Sequence, residues 1–326
     1  MFKAPDINGG ATKLDLSGVL IVPPLDSGKT YRQVIAPAYT FISRDAAPSV
    51  RVAQDNLEEH LMFWILEAYR KDFAVIIPDY PGFGDSYGQC YIPYVEKDAM
   101  VSTTVQFVEA SQEVLEKENY TQRGGLLISG YSLGAYVALQ LAREYETNPL
   151  YDNPIDYLLV GGSPCNLLQE ADLIRRSTNL SQPYLFPLAL LGFIKNGYPS
   201  LNINDYLKKP YASGSATYLD GQHDFEGYFP PLTTELFTEN FINNVEMDEI
   251  NRILDDNSVK PWPNKCQMMM THGGDDRTVY YAQAQDFAKE MNEIGSNVSF
   301  LKTAGDHTVA GVIFYIGLLI TLETIN

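Results

Sequence analysis

The sequence predicts an α/β fold: a doubly wound, mostly parallel sheet with one inserted, mainly helical cap. Three observations predict it. Strand-like and helix-like segments alternate along most of the 326 residues. Short segments such as FAVIIPD (73–79) are apolar almost throughout, as a strand buried on both faces of a parallel sheet requires. The alternation stops near Cys165, gives way to a Pro-, Asn- and Tyr-rich stretch, and resumes after Pro263. Residues 1–164 and 264–326 are therefore expected to form one core, and residues 165–263 a cap inserted into it.

Taken in order, TKLDLSGVLIVPP (12–24) and RQVIAPAYTF (32–41) read as early strands. In 49–72, Leu57, Leu61, Trp64 and Ile65 recur at helical spacing. A second long helix is expected from about Glu96 to Glu118, followed by the strand GLLISG, a helix after Ser132, and the strand YLLVGGSP (157–164). Inside the inserted stretch, YLFPLALLGFI and ELFTENFINNVEMDEINRIL are helical patches. Beyond it come the strand CQMMMTHG, the helix VYYAQAQDFAKEMNEIG, the strand NVSFLKTAG and a terminal apolar segment, VAGVIFYIGLLITL (309–322). That last run falls short of the roughly 20 residues of a membrane span and is expected to be a buried helix.

Composition narrows the function classes. A formal net charge of −18 and a pI near 4.5 oppose binding to nucleic acid or to an anionic membrane, since both would repel the surface. Cys90, Cys165 and Cys266 are few, odd in number and widely spaced, so they frame neither a disulfide set nor a zinc site and read as small buried hydrophobes. No ligand cluster suggests a metal or an organic cofactor. The opening MFKAPDINGG lacks the apolar stretch of a signal peptide.

One motif carries chemistry. Gly130-Tyr131-Ser132-Leu133-Gly134 matches G-x-S-x-G, with a buried strand before it and a helix after it. Strand and helix pack closely at such a corner, which is why its flanking residues are small. The turn lifts the serine hydroxyl out of the sheet and aims the Leu133 N–H at the same place, where the helix N-terminus favours a developing oxyanion. A serine is a poor nucleophile without a base. Of four histidines, His60 lies in an early amphipathic helix and reads as structural, and His223 lies in the inserted stretch. His272 ends a strand. His307, in a loop after the last strand, is the one that follows a strand-end acid, giving the order Ser, acid, His. THGGDDRTVY offers Asp275 and Asp276 as that acid, and Asp306 is a further candidate beside the histidine.

With these residues in order, the chain resembles the α/β-hydrolase superfamily over nearly its full length. SGVLIVP, FAVIIPDYPGFGDS, GYSLGA and the long insertion resemble cap-bearing secretory lipases and their bacterial esterase relatives. The resemblance implies that Asp276, which is followed by Thr278-Val279 in a D-x-x-V pattern, is the acid. It implies ester hydrolysis through an acyl-enzyme on Ser132, with no cofactor, a small-molecule or lipid ester as substrate, and an exported or cell-surface bacterial protein. One feature departs from it. Relatives often carry His-Gly-Thr after the third strand, where this chain has Ala38-Tyr39-Thr40; Thr40 is the expected first oxyanion donor beside Leu133, and Asp79 the alternative. A prolyl-type peptidase, an acyltransferase and a non-catalytic binding module on the same fold are the competing readings.

Overall fold

The structure, a computed structural model, describes residues 2–4, 13–23 and 30–325. Most of MFKAPDINGG lies outside the described residues. Among the described residues ten strands form: β1 (Phe2–Ala4), β2 (Leu14–Leu16), β3 (Gly18–Ile21), β4 (Thr30–Ile35), β5 (Phe73–Pro78), β6 (Thr121–Gln122), β7 (Leu126–Tyr131), β8 (Ile155–Gly161), β9 (Gln267–Gly273) and β10 (Val298–Thr303). β1 and β2 make a small antiparallel pair. The main sheet runs β10-β9-β8-β7-β4-β5-β3, with β6 pairing β4. All its pairings are parallel except that of β3 on β5. Every residue of β5 and β7 is buried, which the apolar run of β5 and the Leu126-Leu127-Ile128 start of β7 anticipate.

Helices cover both faces. α2 (Glu59–Lys71) and α12 (His307–Thr324) pack on one face, where Trp64, Phe314 and Leu318 meet Val34, Val75 and Leu127. α3 (Lys97–Lys117), α4 (Leu133–Thr147) and α11 (Tyr281–Glu293) cover the other. A short α1 (Pro48–Ala53) precedes α2. Between β8 and β9 the chain forms α5 (Leu167–Arg176), α6 (Leu185–Asn196), α7 (Tyr211–Tyr218), α8 (Thr233–Leu236), α9 (Glu239–Ile242) and α10 (Asp248–Asn257). Their Leu188, Phe193, Leu236 and Ile253 join the same apolar cluster as Ile128 of the sheet and Val137 of α4. The inserted stretch is thus fused to the core.

Three sequence expectations change. The segment 49–72 is two helices, because Glu58 caps α2 by accepting from the N–H groups of His60 and Leu61 and leaves the chain before it non-helical; Leu57 falls in that break. The segment 235–254 divides into α8, α9 and α10. The terminal segment is a helix, but it is not buried: Ala310, Phe314, Leu318 and Leu322 pack inward, whereas Val312, Ile316 and Ile320 are 58%, 55% and 64% exposed. By length and composition alone α12 would be sufficient to cross a membrane.

Candidate active site

The site begins at the corner between β7 and α4. Ser132 has φ 56° and ψ −122°, a conformation that costs an L-residue about 1–3 kcal/mol and persists where its surroundings enforce it. Its N–H is held by the carbonyl of Gly161 on β8 at 2.9 Å. Close packing explains both flanking glycines. A Cβ on Gly130 would lie 2.3 Å from the Gly134 carbonyl, and one on Gly134 would lie 2.2 Å from the Pro37 carbonyl oxygen. Leu133 is the first residue of α4, so its N–H belongs to the set with no acceptor inside the helix.

The other two residues arrive from the C-terminal ends of β9 and β10. His307 is the first residue of α12, whereas a loop position was expected; the Asp306 carboxylate caps that helix through the Val309 N–H at 3.0 Å. Nε2 of His307 lies 2.9 Å from Ser132 Oγ, and Nδ1 lies 2.6 Å from Asp276 Oδ2. A carboxylate only accepts, so Nδ1 carries the proton and Nε2 is left to accept from the serine. Asp276 Oδ1 accepts the Thr278 and Val279 N–H groups, each at 2.9 Å. Burial pushes the Asp276 carboxyl upward, but hydrogen bonds from His272 and His307, helped by the Val279 N–H, outweigh it and hold the group well below the usual carboxylate range. Asp275 is exposed and Asp306 is engaged as the helix cap, so Asp276 is the carboxylate brought to His307.

Two supporting residues were not singled out from the sequence. His272 is buried, with Nε2 at 2.9 Å from the Val279 carbonyl and 3.4 Å from Asp276 Oδ2; both neighbours accept, so this nitrogen is protonated. Tyr131 packs its ring 5.0 Å from the His307 ring and donates its hydroxyl to the His307 carbonyl at 2.5 Å. Its only sequence signal was its place as the variable residue before the serine.

The 36–40 loop abuts the corner, since the carbonyl of Pro37 touches Gly134. Side chains hold it. Tyr80 donates to the Ala38 carbonyl, Tyr39 donates to Glu58, and His60 Nε2 lies 3.1 Å from the Ala36 carbonyl. Thr40 Oγ1 lies 3.1 Å from the Tyr94 hydroxyl, and Thr40 lines the same cavity as Ser132. Asp79 does not line that cavity. Its buried carboxylate accepts from Ser17 Oγ at 2.6 Å, the Ser49 N–H at 3.1 Å and Ser49 Oγ, tying the link between β2 and β3 to the start of α1.

The cavity measures about 700 Å³ and opens between α2, α12 and the inserted stretch, with Phe63, Gln182, Tyr184, Leu185 and Val312 among its walls. His60 stands in it as an uncharged wall: burial lowers its pKa, Nε2 faces the Ala36 carbonyl, and Nδ1 lies 2.9 Å from the Tyr315 hydroxyl. His223 is exposed elsewhere, paired with Asp220 at 2.9 Å. Cys165 and Cys266 are buried and Cys90 is partly exposed. Among the described residues no group of three or more His, Cys, Asp or Glu side chains could hold a metal ion.

The sequence profile of the alpha/beta hydrolase family matches residues 16–307, and the chain belongs to that family. No functionally curated protein sequence matches it. Among solved structures, a Legionella pneumophila protein described as a hydrolase superposes with a TM-score of 0.85 at 18% identity, over 99% of this chain and 86% of that one. The rice cell wall degrading esterase LipA of Xanthomonas oryzae gives a TM-score of 0.81 at 18% identity, over 99% and 88% of the two chains. Candida antarctica lipase A gives 0.68 at 15% identity, over 94% and 72%. At these identities the likeness speaks for the fold.

Proposed function

We propose that the protein hydrolyses carboxylic esters through Ser132, His307 and Asp276. The observation that carries this reading is the unbroken relay in which His307 places Nε2 at 2.9 Å from Ser132 Oγ and Nδ1 at 2.6 Å from Asp276. Ser132 Oγ bonds to the ester carbonyl carbon while its proton passes to His307 Nε2. Asp276 holds the imidazole in the required tautomer and stabilises its charged form. The Leu133 N–H and Thr40 face the oxyanion; each such donor is worth about 100- to 1,000-fold in rate. The tetrahedral intermediate collapses as the carbon–oxygen bond to the alcohol breaks, and His307 returns the proton to that alcohol. Water repeats the sequence on the acyl-enzyme and releases the carboxylic acid. The residues 165–263 act as the cap, supplying Gln182, Tyr184 and Leu185 to the cavity.

The test is stoichiometric labelling with a fluorophosphonate, followed by peptide mapping. We expect the label on Ser132 in the wild type. In His307→Ala labelling is lost and ester turnover falls by about 10⁴- to 10⁶-fold. A folded wild type that takes no label would refute an activated serine.

A further inference from the structure

The cavity does not end at Ser132. Thr308, Gly311, Val312, Tyr315, Ile316 and Leu319 line it in succession, at the spacing that keeps one face of a helix in register for three turns. Glu59, His60 and Phe63 of α2 form the facing wall. Between them runs a groove that starts at the serine and histidine and follows α12. From Thr308 to Leu319 the helix advances about 16 Å at roughly 1.5 Å per residue.

The groove is mostly apolar, with Glu59 and Thr308 as its polar walls. Of the four phenols that line the cavity, three are engaged, Tyr315 with His60 Nδ1 at 2.9 Å, Tyr131 with the His307 carbonyl at 2.5 Å and Tyr39 with Glu58. Among the described residues no lysine or arginine lines the cavity, so an anionic head group finds no counter-charge there. Val312, Ile316 and Leu319 remain 58%, 55% and 37% exposed, which leaves apolar surface in water beside the reacting atoms. Whatever covers these side chains is continuous with the group that reaches Ser132, because all of them wall one cavity.

We propose that this groove binds the linear hydrocarbon chain of an ester substrate, and that Val312, Ile316 and Leu319 set the chain length accepted. The proposal rests on the ester-hydrolase reading above. A zigzag of carbon–carbon bonds advances about 1.25 Å per carbon, so the groove matches a chain of about a dozen carbons. The chain belongs either to the acyl part or to the alcohol part of the ester, and the two are separable by experiment.

Two substrate series test it: 4-nitrophenyl esters from acetyl to dodecanoyl, and acetate esters of alcohols from ethanol to dodecanol. They are assayed on the wild type, Ile316→Trp, Leu319→Asp, and Leu150→Trp as a control. Leu150 is 85% exposed and lies outside the cavity. Ile316 and Leu319 lie away from the packed side of α12, and thermal melting checks that their variants are folded. In one series the wild-type kcat/KM rises with chain length, which identifies the acyl or the alcohol side. The ratio of the dodecyl to the butyl member of that series falls about tenfold or more in each groove variant and is unchanged in Leu150→Trp. A flat profile in both series, or a uniform loss at every length in the groove variants, overturns the groove while labelled Ser132 leaves the hydrolase reading standing. If no ester turns over and Ser132 takes no fluorophosphonate, both fall.

Discussion

Tyr39 stands beside Thr40 and donates its hydroxyl to Glu58, the residue that caps α2. Burial and the adjacent carboxylate both raise the Tyr39 phenol, so it stays a donor throughout the working range. Where the resembling enzymes use His-Gly for a pliable loop, this chain fixes the equivalent backbone with side chains from α2 and from the segments around Tyr80 and Tyr94. On the proposed hydrolase reading, Tyr39 is then a positioning residue for the oxyanion donors. Tyr39→Phe keeps the ring and removes the anchor, and a displacement near 1 Å at such a site costs about 100-fold. We expect kcat to fall by about 10- to 100-fold with KM nearly unchanged and the melting temperature little altered. An equal rise in KM would instead mark Tyr39 as a substrate contact.

At the scale of elements, the corner between β7 and α4 depends on close backbone approach. Gly134→Ala would drive a methyl group into the Pro37 carbonyl, and strain of this kind costs about 1–3 kcal/mol. Urea unfolding should show that loss, and fluorophosphonate labelling should fall with it, because the displaced loop also carries Thr40. This corner was legible in the sequence, since a buried strand, a serine between glycines and a following apolar helix each point to the same turn. So was the order of Ser132, Asp276 and His307. The paired role of His272 was not, because its contacts to Asp276 and Val279 depend on how the loop after β9 folds back. Nor was the exposed side of α12: from Val309 to Ile320 its exposed positions are as apolar as its buried ones, so periodicity carries no mark of which face packs. The break before α2 was hidden for the opposite reason. Leu57 continues the helical spacing, yet Glu58 wins as a cap.

Across the whole molecule, buried Glu170 and half-buried Glu96 set the pH dependence. Burial pushes Glu170 up to about 8, with the charge of Asp276 adding to the effect and the Tyr280 N–H opposing it. Glu96 is pushed up to about 7, again chiefly by burial, with Asp98 adding to it. An unfolded Glu titrates near 4.3. Between that value and the folded one the native state binds more protons than the unfolded state, so stability falls as pH rises through this window. Asp276 acts in the opposite sense, giving stability above its unfolded pKa that is lost in acid, and buried His60 likewise disfavours the fold below about pH 6.5. Glu170→Gln isolates one contribution, since the amide oxygen can still accept from Tyr280. Melting curves from pH 5 to 8 should show a smaller decline in the variant than in the wild type, with the largest gain at pH 8. Parallel curves would mean that Glu170 ionises freely in the folded protein.

The hydrogen bond from Ser132 to His307 joins residues 175 positions apart, and the acid paired with His307 leads into α11, with β10 still to follow. Contacts of such span close late, after the intervening chain has paid its loop entropy. The six inserted helices, fused to the same apolar cluster, and the last two strands must dock before the three side chains meet. On the proposed hydrolase reading, fluorophosphonate labelling of Ser132 during refolding therefore returns only when the topology is complete, later than the helix content.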